Sequence, residues 1–368
     1  MGFLRYYRQF EGLTEEEVNR GLRERAQEER GKALARVEPL DLARTTWHEL
    51  PPAEVVSAIT FHARKGLNRY AEGRDQELRE ALAVRHGVDA SRVVVGEGAA
   101  GLLTRAAHEL LAPGDEVVVP WPGYPLYPLL ARDTGATAVR VAGLDPELLL
   151  AAVTPRTRMI VLGGPNDPTG ELLPAPVLAE LLARLPDHVV VVLDEALREF
   201  VTAEPVDAAL RLTDRFARLL VVRSFSKAWG LAGLRCGYAV AGPGGQDLLR
   251  RLAPRLGSSD LALAGALAAV RSADDVLARR VRENDRERRT LTADLEELGL
   301  LVHPSQSATL WVRSPDRGGG ALHAHLERSG VLVQSGLPLG DEHHVRIAVR
   351  GGTARPRLLR ALGQGTVR

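Results

Sequence analysis

The sequence predicts an α/β fold: a large domain built on a mainly parallel sheet with helices on both faces, followed by a smaller α+β domain. Three observations carry this. Val93–Val95, Val117–Val119, Met159–Leu162, Val189–Leu193, Leu219–Val222 and Tyr238–Val240 are uniformly apolar, as expected of strands buried on both faces of a parallel sheet rather than half-exposed ones. Helical patterns such as Leu102–Leu111 lie between them, and Pro113-Gly114-Asp115 supplies a stop. Beyond residue 245 the texture changes to Ala, Leu, Arg and Glu.

Taken in order, residues 1–45 are charged and helical in pattern and are expected to form an arm that packs on the small domain or on a partner chain. Residues 46–245 carry the apolar strand runs and make the large domain. Residues 246–368 make the small domain. There Arg250–Leu300 reads as long exposed helices, with Asp275–Arg289 charged at i,i+4 spacing. Three strand-like pieces follow, Thr309–Val312, Val331–Val333 and His344–Val349.

Composition excludes several function classes. A formal net charge of +1 spreads no basic field for nucleic acid. One cysteine, Cys236, allows no internal disulfide and fits a reducing compartment. No 18-residue apolar span occurs, and Met1–Arg8 has no signal-peptide core, so a cytoplasmic location with no membrane partner is expected. No set of residues has metal-ligand spacing; the adjacent His343 and His344 would point to opposite faces of a strand.

Lys227 is the most informative residue. The chain has three lysines among 48 basic residues, yet it keeps an amine in Arg223-Ser-Phe-Ser-Lys-Ala-Trp-Gly-Leu-Ala-Gly-Leu-Arg235, directly after an apolar run. A guanidinium stays protonated and cannot form a Schiff base, so an amine kept here points to carbonyl chemistry. Gly96-Glu-Gly-Ala-Ala-Gly101 matches a dinucleotide fingerprint, but the next strand ends Val119-Pro120-Trp121 with no ribose-binding carboxylate. A phosphate at a helix N-terminus accounts for the glycines without a dinucleotide, as does a tight structural turn.

Asp194 follows Val189–Leu193 and stands at the carboxyl end of a buried strand, where open α/β sheets place ligands. It can hold a protonated pyridine nitrogen, cap a helix or bind metal. Gly164-Pro-Asn-Asp-Pro-Thr-Gly170 forms a rigid turn after another strand and aims Asn166 at a ligand oxygen, with Asp167-Pro168 a candidate cis bond. Tyr124, in Pro122-Gly-Tyr-Pro-Leu-Tyr127, is placed to stack on a planar ring or to serve as ordinary core.

From about Leu67 to Arg350, and most specifically over Ser224–Gly237, these motifs resemble the class I/II aminotransferases of fold type I that depend on pyridoxal 5'-phosphate, in the branch of the histidinol-phosphate aminotransferases. The resemblance implies an enzyme that moves an amino group between an L-amino acid and a 2-oxo acid. It makes Lys227 both the Schiff-base lysine and the base, and Arg235 the clamp on the cofactor phosphate, with Ser224, Ser226 and the backbone at Gly98 and Ala99 completing the cup. Asp194 would hold the pyridine nitrogen, Asn166 the phenolic oxygen, and Tyr124 would cover the ring. Tyr70 would reach the cofactor phosphate of the neighbouring subunit in a homodimer, and Arg346 would grip the substrate carboxylate. As base, Lys227 must be neutral, and the positive charge of Arg235 is expected to lower its pKa.

The sequence also departs from that family. Leu197 stands where Asp-Glu-Ala is usually followed by a tyrosine that donates to the phenolic oxygen. This leaves decarboxylation or oxidation of an amino acid as an alternative fate. Gly330-Val-Leu-Val-Gln334 carries a neutral amide where a phosphate-binding arginine is usual, which argues against a phosphorylated substrate and so against histidinol-phosphate transamination proper. Ala43–Pro51 replaces the family's early Asn-Glu-Asn-Pro segment, which makes Trp47 and His48 candidates for the substrate side, with ordinary core the other reading of Trp47. Arg350 stands in place of the family's glycine and either adds an anion contact or faces solvent.

Overall fold

The computed structural model describes residues 20, 24, 38–71, 73–255 and 257–363. Most of the expected N-terminal arm therefore lies outside the described residues; Arg20 and Glu24 are helical. The elements run β1 (Leu40–Asp41), α1 (Ala53–Gly66), α2 (Arg74–His86), β2 (Val93–Gly96), α3 (Gly98–Leu110), β3 (Glu116–Trp121), α4 (Leu126–Thr134), β4 (Thr137–Ala142), α5 (Pro146–Ala151), β5 (Thr157–Gly163), α6 (Ala175–Arg184), β6 (Val190–Asp194), β7 (Leu219–Ser224) and β8 (Gly237–Ala241). They continue α7 (Gln246–Leu252), α8 (Asp260–Ser272), α9 (Asp274–Glu297), β9 (Leu301–Val302), β10 (Thr309–Arg313), α10 (Gly318–Arg328), β11 (Val331–Leu332), β12 (Gln334–Ser335), β13 (His344–Ala348) and α11 (Ala354–Gly363).

The central sheet has the order β2-β8-β7-β6-β5-β3-β4, and only β8 runs against the others. Its strands are apolar on both sides because both sides are covered. Val117, Val119, Met159, Val161 and Val192 meet α3 and α4, whereas the alternate residues Val118, Ile160, Leu162, Val191 and Leu193 meet α6. The apolar runs marked six of the seven strands. Thr137–Ala142 was not among them: as the edge strand β4 it is mostly exposed or half-buried and carries no continuous apolar run.

The smaller sheet is antiparallel, in the order β12-β13-β10-β9, and β1 pairs in parallel with β11 beside it. Leu40 and Leu42 join its core with Leu310, Val312, Val345 and Ile347, so the chain entering from β1 is tied to this layer before it crosses to the large sheet.

The change of texture at residue 245 does not coincide with the change of packing partner. Leu249 and Leu252 of α7 join the core under α3, and Leu263, Ala266 and Leu267 of α8 pack with Val93, Val95 and Phe225. Helix α8 is thus buried rather than exposed as the composition suggested, because Ala-rich sequence lies equally well on a sheet and in solvent. In α9 most of the charges do face water, but Arg280, Asn284 and Arg288 are buried.

Candidate active site

The site lies at the carboxyl ends of the parallel strands, where the topology gathers side chains from distant segments. Asp194 ends β6, Ser224 ends β7, and the Gly164–Gly170 turn follows β5. Reversed β8 begins at this same edge, which brings Arg235 and Gly237 beside the N-terminus of α3. The approach is close enough that a Cβ on Gly237 would stand 2.7 Å from the Ala99 nitrogen and 2.8 Å from the Gly98 carbonyl carbon. Gly98 has φ of +81°, and a Cβ there would lie 3.0 Å from Arg235 Nη2. Arg235 itself takes φ of +52°, the one positive φ outside glycine among the described residues. Its guanidinium is thereby held over the first turn of α3.

These elements enclose a cavity of about 190 Å³ whose lining includes Ala99, Tyr124, Asp194, Ser224, Ser226, Lys227 and Arg235. Ser224 Oγ accepts from the Ser226 N–H at 3.0 Å, and both serines are buried. With Arg235 and the α3 N-terminus they make a compact set of anion donors at one end. Tyr124 meets Tyr127 edge-on at 5.7 Å.

Asp194 is buried, and no ion pair joins it to another of the described residues. Its oxygens accept from the Tyr127 hydroxyl at 3.1 Å and the Ala196 N–H at 3.0 Å. Burial pushes its carboxyl up to about 6, against the pull of those two donors and of the Lys227 charge. Lys227 is half-buried and donates to Thr45 Oγ1. Its pKa is lowered chiefly by burial; Asp167 and Asp194 oppose the shift, while Arg346 and then Arg235 assist it. The lowering expected from Arg235 is thus present, although burial leads and Arg346 acts more strongly.

The structure corrects three expectations. Asn166 is fully buried and does not line the cavity: its Nδ2 donates to the Pro122 carbonyl at 3.1 Å and to Thr169 Oγ1 at 2.9 Å. Asp167, the next residue in a turn whose Asp167–Pro168 bond is cis, faces the cavity instead. Trp47 stacks on Phe200 at 6.3 Å under the Arg280 guanidinium and does not line the cavity, which matches its core reading. Gln334 also lies outside the lining, but it is paired directly across from Arg346, so the two side chains share a face of the small sheet.

Arg346 is buried and reaches across to the large domain, where Nη1 lies 2.6 and 2.9 Å from the two Asp167 oxygens and Nη2 donates to the Ala43 carbonyl at 2.8 Å. Tyr70 is 82% exposed and lines a surface pocket with exposed Leu67, away from the cavity of its own chain. Leu197 lines the cavity as a plain hydrocarbon wall. Sequence reasoning did not single out Tyr127, Thr45 or Asp167. Only Tyr127 left a signal, lying in the same Pro122–Tyr127 segment three residues after Tyr124.

The profile of the family described as "Aminotransferase class I and II" matches residues 38–362. Among similar proteins, histidinol-phosphate aminotransferase 2 of Ralstonia nicotianae is 38% identical over 304 residues, covering 81% of each chain. An aromatic amino acid aminotransferase of Corynebacterium efficiens is 35% identical over 340 residues, covering 90% of this chain and 94% of its own. Among solved structures, that of histidinol-phosphate aminotransferase from Sinorhizobium meliloti in complex with pyridoxal-5'-phosphate superposes with a TM-score of 0.81 at 26% identity, over 90% of this chain and 92% of the other. The chain belongs to the class I and II aminotransferases, with the fold type I architecture and a likeness to the histidinol-phosphate branch.

Proposed function

We propose that this enzyme transfers an amino group from an L-amino acid with an uncharged side chain to a 2-oxo acid, using Lys227 as its reacting amine. The observation that carries the reading is the convergence of Lys227, Asp194 and a phosphate-sized set of donors on one cavity. Amino-group transfer dependent on pyridoxal phosphate follows from the family. When bound, that cofactor supplies an aldehyde for an amine to attack and a protonated ring that accepts an electron pair.

The residues fit the group. Arg235, Ser224, Ser226 and the N–H groups of Gly98 and Ala99 would hold its phosphate, and the ring of Tyr124 would cover its face. Asp194, buried and lacking a cation, would hold the pyridine nitrogen; the charge on that nitrogen would in turn keep Asp194 ionised. Burial lowers the basicity of Lys227, so its Nζ is suited to attack a carbonyl and then to take the donor's α-proton. Thr45 Oγ1 fixes where that nitrogen stands.

Gln334 bears no charge across from Arg346, which favours a neutral donor such as an aromatic amino acid over a phosphorylated one. The named relatives include enzymes of both kinds. Exposed Leu67 and Tyr70 line one surface pocket suited to a second copy of the chain, so a homodimer with Tyr70 at the partner's phosphate is part of the proposal. No described helix is long and apolar enough to cross a membrane, and a cytoplasmic location is proposed with it.

Mixing the loaded enzyme with single amino acids, without acceptor, tests the reading. Loss of the yellow colour with phenylalanine or tyrosine, but not with histidinol phosphate, is the expected result. Bleaching by histidinol phosphate alone would overturn the choice of substrate. Release of carbon dioxide or consumption of oxygen would overturn amino transfer in favour of decarboxylation or oxidation.

A further inference from the structure

The guanidinium expected to grip the substrate is already engaged by a carboxylate of this chain. Both oxygens of Asp167 lie within 2.9 Å of Arg346 Nη1, Nη2 is taken by the Ala43 carbonyl, and Nε is buried without a partner. Asp167 lines the cavity, and its charge acts on Lys227, Asp194, Tyr124 and Tyr127. A carboxylate ligand arriving at Arg346 therefore meets a like charge already seated on the same group. Two carboxylates sharing one guanidinium repel each other, and the repulsion is larger where water is excluded.

We propose that Asp167 is a specificity-determining residue that competes with the substrate carboxylate for Arg346. Within the pair the two charges offset each other, so a bare carboxylic acid gains little at Arg346. A zwitterionic amino acid brings its own ammonium group toward Asp167 and Lys227 and loses less. Asp167 thus biases the site toward the amino donor and against simple carboxylates of the same shape. The inference rests on the reading of Arg346 as the carboxylate grip.

The test uses the enzyme loaded with pyridoxal phosphate and two unreactive probes of matched shape, 3-phenylpropanoate and 3-phenylpropanamide, with dissociation constants measured by calorimetry. Asp167→Asn keeps the side-chain outline and removes the charge. It is expected to tighten 3-phenylpropanoate at least tenfold while leaving the amide within about twofold, a split that a merely structural role would not produce. Asp167→Ser, measured alongside, covers the case in which the asparagine variant folds poorly, and is expected to tighten the acid in the same direction. If the acid binds no more tightly in either variant, or both probes shift together, the proposal is overturned. Arg346→Gln separates the two claims. If that change leaves the affinity for the acid untouched, the grip reading itself fails; if it abolishes acid binding while the Asp167 variants change nothing, only the competition fails.

Discussion

Two aspartates at the same end of the central sheet lie in opposite electrostatic situations. Strand alternation separates them: Ser224 and Asp194 face the cavity, while their chain neighbours Arg223 and Glu195 face the other side. There Arg223 binds Glu195 and Asp207, each at 2.8 Å, and His86 approaches Asp207 at 3.1 Å while meeting Tyr238 at 2.8 Å. Burial opposes ionisation of Asp207, but His86 and Arg223 together hold its carboxyl well below the ordinary range. Asp194 has two hydrogen bonds and no ion pair among the described residues, and burial pushes it up to about 6. A carboxylate that already has its guanidinium is built into the fold, whereas a buried one held without a cation is suited to receive a charged ligand.

The largest effect should separate chemistry from structure. Lys227→Ala is expected to lower amino transfer by roughly a thousandfold or more, since both an anchor and a base are lost, while the melting temperature stays within a few degrees. Steady-state rates and thermal unfolding of the same preparation check this. On the other side of the sheet, Arg223→Ala should leave Glu195 and Asp207 without their shared cation and destabilise the protein by about 3–5 kcal/mol. A denaturant midpoint no lower than wild type would break the contrast.

The pH dependence of the cofactor-free protein sharpens the comparison, because the two aspartates act with opposite sign. The folded-state pKa of Asp207 is depressed, so its contribution is present above about pH 4 and is lost as pH falls. That of Asp194 is raised to about 6, so its effect is fully favourable only below the unfolded value near 4 and is lost as pH rises through 6. Asp194→Asn should therefore stabilise the cofactor-free protein at pH 8 by up to about 3 kcal/mol and remove the decline between pH 4 and 6. Stability measured by urea unfolding from pH 2 to pH 8 reads both slopes. The smallest change expected is that of Tyr127→Phe. It deletes one donor to Asp194, costs about 1 kcal/mol, and weakens cofactor retention by less than tenfold in a competition dialysis.

The sheet was legible because strands buried on both faces must be continuously apolar, and only β4, lying at the edge, escaped that signature. Asp194, Ser224, Ser226, Lys227 and Arg235 were legible because each sits at a strand end or in a dense motif, and the topology brings those ends together. What could not be read was direction. In the Gly164–Gly170 turn the choice between Asn166 and Asp167 depends on backbone torsions that residue type does not fix, and the structure turns Asp167 toward the cavity. Trp47 has the same amphipathic character whether it faces a ligand or Phe200. The contact of Thr45 with Lys227 joins residues far apart in sequence, and no local pattern announces it. The composition shift at residue 245 reported residue type, whereas packing on the large sheet continues through α8.

The ionisation of Asp194 tests the central claim most directly. Infrared difference spectra of wild type against Asp194→Asn, recorded from pH 4 to pH 8 with and without pyridoxal phosphate, isolate the carboxyl band of this one residue. A protonated carboxyl that titrates near pH 6 is expected in the cofactor-free protein, and a carboxylate throughout that range once the cofactor is bound. The same titration in both forms would contradict it.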